Sequence, residues 1–171
     1  FHTNQLSVIT YNYDRSLEHF LFEAMLHTFG RSEEECLKKM GAIRFVHLHG
    51  SLGSLPWQGA ANVRKFGENL PSAEALRQMA SSMIVIHEGK DDSAEYAEAF
   101  RLMSEAKRIY FLGFGYGETN LKRLGTERLD ARKTIQGTAL GLPKLGLQSL
   151  QRSQRGRLRL LPGLDCLAFL K

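Results

Sequence analysis

The chain has 171 residues, 43% of them hydrophobic and 24% charged, which suits one soluble globular domain with a packed core rather than a disordered protein. No apolar run reaches the ~18 residues that a membrane helix needs. No charged-then-apolar leader opens the chain either, so a cytoplasmic protein with no membrane partner is expected.

Leu6 to Tyr11 is rich in β-branched residues and predicts a buried strand, after which Asn12-Tyr13-Asp14 turns the chain. From Arg15 to Phe29 the apolar positions Leu17, Phe20, Leu21, Ala24, Met25 and Thr28 follow a helical period, and Gly30 ends it. A short charged helix over Ser32 to Met40 is next, then a second strand, Ile43 to Leu48, stopped by His49-Gly50-Ser51. Leu52 to Leu70, punctuated by glycine and proline, predicts a long functional or mobile loop. In it Trp57 either lines a pocket or packs on the sheet. Residues 52–92 as a whole form a loop or small-subdomain insertion in a single domain spanning 1–171.

A weak helix over Ser72 to Ala80 leads to an apolar extended stretch, Met83 to His87, read as a strand or a buried loop. Ser93 to Lys107 is the best helix in the chain, with Tyr96, Phe100 and Met103 on one face and Ser93 placed to cap it. Arg108 to Leu112 is a further buried strand, followed by the turn Gly113-Phe114-Gly115-Tyr116-Gly117 and a helix over Thr119 to Leu129. Ile135 to Leu142, Leu158 to Leu161 and Leu167 to Leu170 complete the set as late strands. Strands alternating with helices imply an α/β fold: a doubly wound, mostly parallel sheet with helices on both faces. Ligands of such sheets sit beyond the carboxyl ends of the strands. Three polar or glycine-rich turns occupy that position, Asn12 to Asp14, His49 to Ser51 and Gly113 to Gly117, and they are expected to meet in one crevice.

The remaining chemistry-bearing residues fit simpler roles. Asp14 precedes a helix and suits an N-cap, Asn12 suits a turn, and His49 beside Gly50 suits a structural turn histidine. His47 alternates onto the side of His49 and is expected to be hydrogen-bonded for structure. The G-x-G-x-G spacing of Gly113, Gly115 and Gly117 brings its third glycine one position early for a dinucleotide fingerprint, and no acidic residue ends a following strand about twenty positions on, which excludes a Rossmann dehydrogenase. His87, Glu88, Asp91 and Asp92 fit no helix face and are expected to be exposed loop charge rather than a metal site. Cys36 and Cys166 stand far apart without a CxxC pair, so neither a structural zinc site nor, in a reducing compartment, a disulfide is expected. The net charge of +5 is uneven, with ten basic side chains between Lys122 and Arg159 against Glu127 and Asp130. That stretch reads as a solvated basic surface. A nucleic-acid or acidic partner is the weaker reading, since no aromatic residue interleaves with the charges.

Thr10-Tyr11-Asn12-Tyr13-Asp14, His47-Leu48-His49-Gly50-Ser51 and Leu112-Gly113-Phe114-Gly115-Tyr116, in that order, resemble the T-x-N-x-D, histidine–glycine and glycine-turn segments of the SIR2-like family, the bacterial NAD-consuming relatives of sirtuins. The resemblance covers roughly residues 6 to 142 and implies a Rossmann-like, SIR2-type fold with NAD bound as substrate and no metal. It implies that His49 is the base drawing a proton from a ribose hydroxyl or a water, a role that suits a group with an unperturbed pKa near ~6.5. It implies that Asn12 orients the attacking group or the carboxamide, and that Asp14 accepts a hydrogen bond from the carboxamide nitrogen. Thr10 belongs to the same binding segment. Gly113 and Gly115 admit ribose or phosphates where a Cβ would clash.

Sirtuin deacylases usually carry Gln where this chain has Tyr11, and they carry a zinc ribbon. The family's first strand and Gly-Ala-Gly turn fall upstream of residue 6, so the chain reads as the C-terminal portion of such a domain. These departures favour hydrolysis of NAD to nicotinamide and ADP-ribose, as in SIR2-like bacterial defence proteins. An NAD or ADP-ribose sensor, a scaffold, and a protein deacylase are the alternatives. A homo-oligomer or a fused effector domain is the partner expected.

Overall fold

The carboxyl ends of the parallel strands govern where ligand-facing turns fall. The computed structural model describes residues 5–59, 63–69, 72–81, 83 and 93–171. They divide into two compact units, Phe1–Glu95 and Tyr96–Lys171. In the first, β1 (Ser7–Thr10) pairs in parallel with β2 (Arg44–His47), with Ile9 beside Val46 and Thr10 beside His47. In the second, β3 (Ile109–Phe111), β4 (Ile135–Thr138) and β5 (Leu158–Leu161) form a parallel sheet in the order β3-β4-β5. The architecture is α/β with parallel sheets and helices, as the alternation of strand and helix signals implies.

Between β1 and β2 run α1 (Ser16–Glu23), continued by a π-helical turn over Ala24–Thr28, and α2 (Glu33–Gly41). Ser32 starts α2 with a capping box: its Oγ accepts from the Glu35 N–H at 3.2 Å, and Glu35 Oε2 accepts from the Ser32 N–H at 3.4 Å. Glu33 to Glu35 in the first turn and Lys38 and Lys39 in the last complement the helix dipole. Phe22, Met25, Cys36 and Met40 form the buried core of this unit, with Leu21, Leu26, Ile43, Phe45 and Trp57 packed around it. Full burial of each large apolar side chain stabilises by roughly 1.5–3 kcal/mol. Trp57 joins this core by stacking on Phe22, with ring centroids 5.2 Å apart and planes 7° from parallel.

The buried face of α1 differs from the one that apolar periodicity predicts. Glu18, Phe22 and Met25 are buried, whereas Leu17 is 45% and Phe20 67% exposed. Hydrophobicity alone assigns Leu17 and Phe20 inward. The stacking partner of Phe22 and the histidine that holds Glu18 lie on the adjacent face, and they orient the helix.

After β2 the chain passes through a 3-10 turn at Pro56–Gln58 and reaches α3 (Ala73–Ser81), where a helix is expected. Met83 bridges Gly50 in antiparallel fashion. The rest of the expected Met83–His87 strand, and the charges His87, Glu88, Asp91 and Asp92, lie outside the described residues.

α4 (Ala94–Glu105) leads into the three-stranded sheet, whose first row sets Ile109 beside Ile135 and Ile135 beside Leu158, all buried. β3 is followed by α5 (Glu118–Arg123) and a 3-10 turn at Thr126–Arg128, so the predicted helix stops short of Leu129. α6 (Lys144–Ser153), a helix absent from the sequence expectation, links β4 to β5 and packs on β5. The strand expected over Leu167 to Leu170 is instead α7 (Cys166–Phe169). Asp165 decides this, because its Oδ1 accepts from the Ala168 N–H at 2.7 Å and nucleates a helical turn that the apolar run alone does not encode. Among the described residues no helix is long and apolar enough to cross a membrane.

Candidate active site

Parallel pairing puts the carboxyl ends of β1 and β2 on the same rim, and each strand leaves into a polar turn. Backbone bonds lace the two turns together. Leu48 N–H donates to the Thr10 carbonyl at 2.9 Å, and Leu52 N–H donates to that of Tyr13 at 3.0 Å. The structure therefore makes neighbours of two expected site segments, Asn12 to Asp14 and His49 to Ser51.

Asn12 is exposed, while both of its main-chain polar groups are engaged. Its N–H donates to Thr10 Oγ1 at 3.0 Å, and its carbonyl accepts from His47 Nδ1 at 2.8 Å. That leaves the carboxamide, with a donor and an acceptor, at the surface on a fixed backbone. His49 is only 3% exposed and sits beside two tyrosines. Its ring centroid lies 5.4 Å from Tyr11 and 6.3 Å from Tyr13, both tilted.

Asp14 lies one residue before the N-cap of α1, which is Arg15 rather than the expected Asp14; its Oδ1 accepts from the Ser16 N–H at 3.0 Å. Hydrogen bonds from Ser16 hold its carboxyl below the ordinary aspartate value. Arg15 is buried and donates to the carbonyls of Arg64 at 2.9 Å and Lys65 at 3.5 Å, which ties the start of α1 to the loop after β2.

His47 is hydrogen-bonded, as expected, but to a partner that its own sequence surroundings do not indicate. Nε2 lies 2.7 Å from Glu18 Oε1, and the two side chains are 12% and 4% exposed. Burial opposes a charge on the ring, yet the hydrogen bonds to Glu18 and to the Asn12 carbonyl outweigh it and carry the imidazole above its ordinary value.

In the second unit, the glycine turn after β3 is anchored on the end of β4. Gly113 adopts φ +61°, a conformation that side chains rarely take, and its N–H donates to Thr138 Oγ1 at 3.0 Å. Tyr116, also at positive φ, donates its hydroxyl to the Thr138 carbonyl at 2.9 Å. Burial pushes that phenol up to about 12. Gly137 gives the ring room, since a Cβ there would land on the Tyr116 hydroxyl and 2.8 Å from the Phe111 carbonyl. Gly115 is different: its φ is unremarkable for any residue, and nothing among the described residues lies within 4 Å of where its Cβ would be.

Glu18, Tyr116 and Thr138 therefore support the site segments although sequence reasoning passed over them. Glu18 left one local signal, a charge four residues before a core phenylalanine on the same helix face. Thr138 left none, because its role depends on β4 lying beside β3.

Residues 6–154 match the model of a family described as the SIR2-like domain. No curated protein and no solved structure matches the chain.

Proposed function

Because the chain belongs to the SIR2-like domain family, which implies an NAD-related function, we propose that it hydrolyses NAD to nicotinamide and ADP-ribose. The observation that carries this reading is the lacing of the Asn12 turn to the His49 turn at one strand rim, where ligands of parallel α/β sheets bind. In the reaction water adds to the anomeric carbon of the ribose. The carbon–nitrogen bond breaks with its electron pair leaving on nicotinamide, and one proton is released.

The chain's residues divide this work. His49 takes the proton from the attacking water or from a ribose hydroxyl. The Asn12 carboxamide orients the attacking group without adding charge. Asp14, besides accepting from the Ser16 N–H, accepts from the nicotinamide amide. Thr10 fixes the Asn12 backbone. Gly113 and Gly115 line the approach of ribose and phosphate; the open space at Gly115, which no packing among the described residues explains, supports this role. In this reading residues 52–92 are an insertion in a single domain. A defence role, in which the reaction depletes NAD, is the setting that the resemblance favours.

A second reading, a non-catalytic NAD or ADP-ribose sensor, is favoured by the burial of His49, since a base must be reached by its substrate. Incubation of the chain with NAD separates the two. Hydrolysis predicts release of nicotinamide, reduced at least a hundredfold in His49→Ala and in Asn12→Ala, in line with the ~10²–10⁴-fold that general acid–base groups contribute. NAD that binds and survives gives the sensor reading. Nicotinamide that appears only with an acylated peptide gives the deacylase.

A further inference from the structure

We propose that Glu18 and His47 are positioning residues for this site, a proton-sharing couple that clamps the Asn12 turn and releases it as pH rises. The proposal rests on the NAD-hydrolysis reading and concerns residues that the reading leaves without a role.

The geometry dictates the protonation of the ring. His47 Nδ1 lies 2.8 Å from a backbone carbonyl, which only accepts, so Nδ1 carries a hydrogen. Nε2 lies 2.7 Å from a carboxylate oxygen, so a second proton sits between Nε2 and Glu18 Oε1. Loss of that proton leaves a lone pair facing a carboxylate inside a nearly closed site, and the contact becomes repulsive. The groups that face the ring are Glu18 from α1, and the Asn12 carbonyl and Asp14 from the turn after β1. β1, paired alongside, contributes Thr10, which does not titrate. Arg15 adds its positive charge near Glu18.

One ring thus joins α1, β2 and the turn after β1, and the group it holds is the peptide of Asn12. A displacement of about an ångström in an orienting group can cost ~100-fold in rate. The couple therefore acts on turnover rather than on NAD affinity.

The test is the pH profile of nicotinamide release by the whole chain and by Glu18→Gln, Glu18→Ala and His47→Ala. Wild type loses kcat as pH rises through the folded value of His47. The side-chain amide introduced by Glu18→Gln can donate to a neutral Nε2, so this variant keeps the clamp and flattens the alkaline fall. The two alanine variants lose about tenfold to a hundredfold in kcat below the folded value of His47, and the deficit closes as pH rises through it, while KM for NAD changes little. Wild-type release with unaltered kcat and pH profiles in all three variants overturns the proposal and leaves the hydrolysis reading standing. No release by wild type sinks the reading and takes the proposal with it. Nitrogen-15 spectra of the histidine rings give a readout that needs neither NAD nor a folded variant: an unprotonated His47 Nε2 at neutral pH overturns the couple by itself.

Discussion

At Gly137 a Cβ would strike the Tyr116 hydroxyl and come within 2.8 Å of the Phe111 carbonyl, and the carbonyl belongs to a paired strand that cannot move aside. Gly137→Ala should therefore destabilise by about 1–3 kcal/mol, read as a fall in melting temperature. Among the described residues Gly115 has no neighbour where its Cβ would be, and its backbone is not left-handed. Gly115→Ala should leave the melting temperature unchanged and weaken NAD binding, measured by calorimetry. Equal affinity in that variant would mean that the turn does not touch the nucleotide. The two substitutions are chemically identical, and their surroundings predict opposite readouts.

At the scale of elements, capping decides more than hydrophobicity does. The Ser32 box fixes the start of α2, and Ser32→Ala should cost about 1 kcal/mol in denaturant unfolding. Glu35→Ala on top of it should cost less than it does alone, since each partner needs the other. The same physics corrects the last element of the chain. Leu167 to Leu170 carries an apolar run that reads as a strand, and one carboxylate at Asp165 makes it helical. α1 shows the complementary failure. Its periodicity gives the helix correctly, but the face that turns inward is chosen by Trp57 and His47, which arrive from later in the chain.

At the scale of the whole molecule, opposing titrations bound the stable pH range. His47 is raised above its ordinary 6.5, so its stabilisation is fully present below the unfolded value and is lost as pH rises through the folded one. Asp14 and Asp130 are lowered from 3.8, by hydrogen bonds from Ser16 and Arg132 respectively. Their stabilisation is present above that value and is lost as pH falls through the folded ones. Urea midpoints measured against pH should therefore fall on both sides of a plateau between mildly acidic and neutral pH. Glu18→Gln should blunt only the alkaline fall. A midpoint that keeps rising above neutrality would contradict the raised value of His47.

The sequence by itself determined the α/β class, the positions of most strands and helices, and the three turn segments with their candidate residues Thr10, Asn12, Asp14, His49, Gly113 and Gly115. These are local properties: β-branched runs, helical periods, and polar turns at strand ends. Only the tertiary structure decided that Glu18 is buried against His47, that His47 grips the Asn12 carbonyl, and that Thr138 anchors both Gly113 and Tyr116. Each of those contacts joins residues more than twenty positions apart. Local propensity cannot rank such partners, because the free energy of a buried polar group depends on which acceptor the fold brings to it.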